Sequence, residues 1–119
     1  MANGLLASCH CGRATIRLSR KPDYINDCNC TMCTKLGWTC AYYSSDELEI
    51  SGQLDSYVRS DLRKPYLQVF RCSNCGIPTH WAPLGEPPYD RIGVNAQLLD
   101  DALLEGVEVR RIDGRSWDE

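Results

Sequence analysis

The sequence predicts a mostly β, single-domain protein, and three observations carry that expectation. Short runs repeatedly alternate apolar and polar residues, with turn signals between them, the pattern of half-buried strands. The chain has 119 residues, the size of one domain spanning 1–119, with a modest core that a structural metal would help. Seven of the eight cysteines fall into three short clusters, a spacing that suits metal sites better than long-range disulfides.

The elements follow in order. Asn3-Gly4-Leu5-Leu6-Ala7-Ser8 reads as a first strand entering Cys9. In Cys9-His10-Cys11 an extended backbone puts both thiols on one face, because strand side chains alternate. Ala14, Ile16 and Leu18 alternate with Thr15, Arg17 and Ser19, a second strand. Arg20-Lys21-Pro22-Asp23 is a turn. Gly37 to Tyr43 is rich in aromatic and small residues and reads as a buried strand. Leu48-Glu49-Ile50 and Leu54 to Val58 flank Ser51-Gly52-Gln53, which predicts a hairpin. Asp61 to Pro65 is a polar loop, and Tyr66 to Arg71 is a strand running into Cys72. Pro83 to Pro88 is a Pro/Gly-rich loop, Arg91 to Asn95 a strand, and Leu98 to Leu104 a helix of about two turns. Val107 to Arg110 alternates again, and the tail from Gly114 is polar apart from Trp117. There is no repeat, linker or low-complexity segment.

Charge and composition exclude some classes. A net charge of −3 and a pI near 5.3 argue against a nucleic-acid or anionic-membrane surface. No apolar run approaches the roughly 20 residues that span a bilayer. Met1 to Ser8 carries no basic residue and is too short for a secretory signal, so the expected location is cytoplasmic, where thiols stay reduced. Disulfides in a secreted domain and an iron–sulfur cluster are the competing uses of these cysteines.

Phe70-Arg71-Cys72-Ser73-Asn74-Cys75-Gly76 reads as a zinc knuckle. Two residues between the cysteines let both sulfurs face one ion, and the glycine permits a left-handed backbone after them. Tetrahedral zinc wants four ligands, and Cys9 and Cys11 supply the other two. Cys28, Cys30 and Cys33 offer three thiolates and no obvious fourth. A catalytic zinc keeps such a position for water or substrate, and would acidify a bound thiol or oxygen there. Cys40 or His80 filling that place would make the site structural; Cys40 lies in an apolar run and reads as a buried core thiol. Substrate-binding candidates are His80, Arg91 and Asn95, the last two for a carboxylate or amide. Trp38 and Trp81 are candidate pocket walls, and Arg59, Arg63 and Lys64 candidate attractors of an anionic substrate.

Ser8-Cys9-His10-Cys11-Gly12, Cys28-x-Cys30-x-x-Cys33, Gly52 followed by Leu54 to Tyr57, and Phe70-x-Cys72-x-x-Cys75-Gly76 together resemble the glutathione-dependent formaldehyde-activating enzyme family. The domain of centromere protein V is similar. The resemblance spans about 4–112 and implies several short coiled antiparallel sheets built around the cysteine clusters. It implies two zinc ions per chain, a structural one on Cys9, Cys11, Cys72 and Cys75 and a catalytic one on Cys28, Cys30 and Cys33. The implied reaction is addition of glutathione to formaldehyde, giving S-(hydroxymethyl)glutathione, a carbon–sulfur lyase activity. The family commonly has His between the first two cysteines of the central cluster; here Asn29 stands there and supplies no imidazole. The alternatives are a non-catalytic zinc module that binds a protein through the proline-bearing run from Trp81 to Tyr89, and a thiol-redox protein cycling a disulfide.

Overall fold

The computed structural model describes residues 5–117; Asn3 and Gly4 of the first predicted strand, and the last two residues of the tail, lie outside the described residues. Ten strands and two short helices follow one another: β1 (Leu5–Ser8), β2 (Thr15–Leu18), β3 (Tyr24–Cys28), α1 (Thr31–Leu36), β4 (Cys40–Tyr43), β5 (Leu48–Ser51), β6 (Leu54–Val58), β7 (Leu67–Cys72), β8 (Pro78–Pro83), β9 (Ile92–Asn95), α2 (Asp101–Leu104) and β10 (Glu108–Ile112). They form a three-stranded sheet in the order β1-β2-β5 and a seven-stranded sheet in the order β10-β3-β4-β9-β8-β7-β6. Pairing is antiparallel except between β10 and β3, which run parallel. The expectation of a mostly β domain with cysteine clusters therefore holds.

The small sheet packs on one face of the large one. Ala7, Ile16 and Leu18 meet Ala41, Tyr43, Ile92 and Val94 in the main core. Each large aliphatic side chain buried there contributes about 1.5–3 kcal/mol. Alternation along β4 decides what lies on the other face. Ala41 and Tyr43 enter the main core, while Cys40 and Tyr42 join a second cluster around Trp38, Leu67, Val69 and Trp81. That second face carries the candidate site.

The structure corrects two expected elements. Leu48–Ser51 and Leu54–Val58 are not a hairpin: β5 pairs with β2 in the small sheet, and β6 pairs with β7 in the large one. Gly52 is where the chain leaves one sheet for the other. It has φ +110°, and a Cβ there would run into the Arg13 carbonyl, so only glycine passes without strain. The two-turn helix of residues 98–104 is split. A 3-10 turn covers Ala96–Leu98, and α2 begins only at Asp101. Strands β3 and β8 and helix α1 were not anticipated.

Candidate active site and metal centres

The first cluster joins the two sheets. Cys9 follows β1 of the small sheet, and Cys72 ends β7 of the large one. Cys11 and Cys75 complete a group whose sulfurs all lie within 4.8 Å of one another. Cys11 Sγ is 3.6 Å from both Cys9 Sγ and Cys72 Sγ. Tetrahedral zinc with Zn–S bonds of about 2.3 Å sets sulfurs roughly 3.8 Å apart, whereas a disulfide would bring them to about 2.05 Å. All eight cysteines are free. Backbone N–H groups of Ala14, Asn74 and Cys75 donate to Cys9 Sγ or Cys72 Sγ at 3.3–3.5 Å, which favours thiolates. A side-chain hydrogen bond with Asn74 holds the Cys11 thiol low, at about 6, while burial pushes Cys9 up. Spacing, donor softness and thiolate support fit a zinc ion held by these four residues.

The second cluster sits where β3 gives way to α1. Cys28 ends β3, Cys30 caps the helix and Cys33 lies in its first turn. Their three sulfurs also lie within 4.8 Å of one another, and no fourth His, Cys, Asp or Glu joins them among the described residues. The Cys33 N–H donates to Cys30 Sγ and the Trp38 indole N–H to Cys33 Sγ, both at 3.3 Å. The Arg59 guanidinium reaches Cys30 Sγ at 3.9 Å. It is held there by Asp61, with Nε–Oδ1 at 2.6 Å and Nη2–Oδ2 at 2.8 Å. The hydrogen bond shared with Cys33 lowers Cys30 to about 5 and pushes Cys33 up. Three thiols with one position open also fit zinc.

These thiols open onto a cavity of about 520 Å³, within the range of small-molecule sites. Trp38, Trp81, Met32 and Leu67 supply apolar wall. Cys40 faces the same cavity but stands outside the three-sulfur group and is buried, which pushes its thiol up. Among the predicted substrate residues, Arg91 and Arg59 line the cavity, and Arg63, Lys64, His80 and Asn95 do not. His80 is buried, stacked on Phe70 at 4.6 Å between centroids, with Nδ1 2.9 Å from Thr79 Oγ1. Burial lowers it to about 4. Asn95 caps the turn after β9: its Nδ2 donates to the Pro78 carbonyl and its Oδ1 accepts from the Gln97 N–H. Asn29 ties down the C-terminal segment. Its Oδ1 accepts from the Arg115 N–H at 2.9 Å, and its Nδ2 donates to Asp113 Oδ1 at 3.0 Å. The run proposed as a protein-binding patch is divided, since Trp81 lines the cavity, Ala82 is buried and Tyr89 packs on the main core.

Sequence reasoning missed Tyr24, Asn26, Tyr42 and Arg110, which line the cavity. Tyr24, Asn26 and Cys28 occupy alternate positions of β3, a signal that was available in the sequence. Arg110 is brought in by the parallel pairing of β10 with β3.

A small β domain with one closed and one open thiol cage defines a class of protein able to hold metal and to handle thiols. The family model described as glutathione-dependent formaldehyde-activating enzyme matches residues 5–110, so the chain belongs to that family. A protein of Rhodobacter sphaeroides with a solved crystal structure is similar in fold, with a TM-score of 0.66 and 23% identity over 88% of this chain and 99% of that one. No curated protein matches. No helix among the described residues is long and apolar enough to cross a membrane.

Proposed function

We propose that the chain is a zinc-dependent cytoplasmic enzyme of the carbon–sulfur lyase class that adds glutathione to formaldehyde. The observation that carries this reading is the open group of Cys28, Cys30 and Cys33 at the edge of a cavity of about 520 Å³. Cys9, Cys11, Cys72 and Cys75 would hold a structural zinc ion, and Cys28, Cys30 and Cys33 a second one. Zinc bound at the open group supplies Lewis-acid chemistry and lowers the pKa of a thiol.

The chain's own residues do the rest. Arg59 lies beside Cys30 and offsets negative charge on the thiolate cluster. Trp38 and Trp81 keep water from the reacting atoms. As the glutathione sulfur bonds to the carbonyl carbon, the C=O π pair moves onto oxygen. In this reading the Tyr42 hydroxyl gives its proton to that oxygen. The Asn26 amide already donates to Tyr42 Oη at 3.0 Å, so the phenol directs its own proton elsewhere. Burial pushes Tyr42 up to about 12, which keeps it protonated at neutral pH. The proton that glutathione sheds to solvent is returned to the phenolate, and the atoms balance. His80, held on Phe70 and Thr79, takes no part.

Glutathione adds to formaldehyde unaided, so the test is rate of exchange, not product. Two zinc ions per chain are expected on protein purified without chelator, together with NMR exchange between free and glutathione-bound ¹³C-formaldehyde that accelerates in proportion to enzyme. One zinc ion and no acceleration would overturn the reading.

A further inference from the structure

The edge strand of a sheet presents unpaired N–H and C=O groups, a template for another strand, and natural edges are guarded by short length or by charge. The two sheets end in β1 and β5, and in β10 and β6. β1 and β5 have four residues each. β10 carries Glu108, Arg110 and Arg111. β6 runs Leu54-Asp55-Ser56-Tyr57-Val58 and holds a single charge. That charge, Asp55, lies 3.8 Å from Arg71 of β7, while Tyr57 and Val58 are 46% and 45% exposed. β6 is the least guarded of these edges.

The ladder fixes which groups of β6 face outward. At its two ends the Arg59 N–H donates to the Leu67 carbonyl and the Ser73 N–H to the Gln53 carbonyl. Between them Asp55 is paired with Arg71 and Tyr57 with Val69. Bonding alternates along an antiparallel strand, so Asp55 and Tyr57 bond to β7. Leu54, Ser56 and Val58 turn their N–H and C=O to the free edge. A second copy, antiparallel about a twofold axis at Ser56, sets Leu54 against the partner's Val58 and Ser56 against the partner's Ser56. Every one of these positions is outward-facing, and about six backbone hydrogen bonds close. Leu54 meets the partner's Val58 on one face, and Tyr57 stands opposite the partner's Asp55 on the other.

Tyr57 also walls a groove of about 470 Å³ with Thr31, Met32, Lys35, Leu36 and Asp61. Asp61 is engaged by Arg59, whereas Lys35 forms no ion pair with a described residue. Pairing about Ser56 brings the partner's Asp55 beside Tyr57, with Cβ atoms about 4.5–5.5 Å apart, on the side where Lys35 is the groove's cation. Charge, apolar contact and the direction of the free backbone groups agree on one occupant. We propose that β6 is a self-association edge, at which a second copy of this chain extends the seven-stranded sheet through an antiparallel β6 pair centred on Ser56. The contact is isologous and closes with two copies. It adjoins the second cysteine group from outside, since none of Leu54 to Val58 lines that cavity. Val58 leads straight into Arg59, which reaches Cys30, and Asp61 accepts from the Thr31 hydroxyl at 3.0 Å at the start of α1.

The test is sedimentation equilibrium of the full chain, as purified, over a range of concentrations. A species of twice the chain mass is expected, and none larger. Ser56→Pro removes an N–H that faces the free edge and none that bonds to β7, a position where proline is tolerated. It should raise the dimer dissociation constant about tenfold or more, and Val58→Lys should do the same. Lys35→Glu, on helix α1 and outside the sheet, sets two carboxylates together and should raise it about threefold or more. Val109→Pro makes the equivalent change at the free edge of β10, where Ile112 and its alternate neighbours bond to β3, and should leave the constant within about twofold. Circular dichroism checks that each variant keeps the fold; should Ser56→Pro lose it, Lys35→Glu reads the same contact. A chain that stays monomeric throughout, assemblies larger than two, a dimer unmoved by Ser56→Pro or by Lys35→Glu, or one broken by Val109→Pro instead would each overturn the proposal.

Discussion

Asn26 Nδ2 donates to Tyr42 Oη at 3.0 Å, while Asn26 Oδ1 is buried with no hydrogen-bond partner. The two residues sit on neighbouring strands, with Asn26 paired to Cys40 two positions before Tyr42. A phenol that accepts from an amide is fixed in position and retains its own proton for a third group. Tyr42→Phe keeps the ring that carries Arg91 and removes only the hydroxyl. We expect kcat to fall about 100-fold, with KM for glutathione within about threefold. Steady-state exchange kinetics check this, and an unchanged kcat would remove Tyr42 as the proton donor.

Asn26 itself separates stability from catalysis. A buried acceptor without a partner costs about 1–3 kcal/mol. Replacing the amide by an apolar group of similar volume relieves that cost and also frees Tyr42 from its orienting contact. Asn26→Leu is therefore expected to unfold at equal or higher denaturant concentration than the parent chain, with exchange about tenfold slower. A variant both less stable and fully active would contradict the positioning role.

The two cysteine groups should fail differently. The four-cysteine group spans both sheets through Cys9 and Cys72, and a structural zinc site supplies on the order of 10 kcal/mol of folding free energy, comparable to the whole stability of a small domain. Cys72→Ser should leave the chain largely unfolded. Cys30→Ser should keep the far-ultraviolet dichroism, drop the metal content by one ion per chain and abolish exchange. Unfolding of Cys30→Ser would make the second group structural instead.

His80 sets an acid limit. Its imidazole is lowered to about 4 by burial, against an ordinary value of 6.5. Between those values the unfolded chain binds a proton that the folded chain refuses. The contribution is complete above pH 6.5 and is lost as pH falls through 4, roughly 3 kcal/mol in all. NMR titration should show the His80 ring neutral at pH 5, with His80→Gln identifying its signals. The glutamine variant should also lose less stability than the parent between pH 7 and 4, measured by urea unfolding.

The parts of the site carried by spacing were legible in the chain. Cys9-x-Cys11 and Cys72-x-x-Cys75 each fix two sulfurs locally, so their closure needed only one long-range contact. The strands with clean alternation, such as Ala14 to Leu18, were readable because one face is buried. What could not be read is what depends on pairing. Ser51-Gly52-Gln53 looks like a hairpin turn whether or not its flanking strands pair with each other, and here they go to different sheets. Helix α1 has six residues and buries none of them fully, so the short stripe of Met32, Cys33 and Leu36 that packs against the second cluster is too brief to betray it. His80 next to Trp81 reads from the sequence as a substrate-binding candidate beside a pocket wall, but successive residues of β8 face opposite ways, and only Trp81 lines the cavity. Arg110 belongs to the site only because β10 pairs with β3, a contact between segments about 80 residues apart.

Gly93 tests whether the cavity wall is set by the backbone opposite it. It pairs with Trp81 across β9 and β8, and a Cβ at position 93 would fall on the Trp81 indole. Its backbone is not in the left-handed region, so alanine would be resisted by the ring alone and not by backbone strain. Trp81 must then move, and it stands edge-on to Tyr42 with centroids 6.2 Å apart. Overpacking of this kind costs about 1–3 kcal/mol. Gly93→Ala is expected to lower the unfolding free energy by that amount and to slow exchange, because the displaced indole disturbs the ring that carries both Arg91 and the hydroxyl donor. Tryptophan fluorescence should change together with activity. A stable, active Gly93→Ala chain with unchanged emission would mean that Trp81 has room to yield without reaching Tyr42.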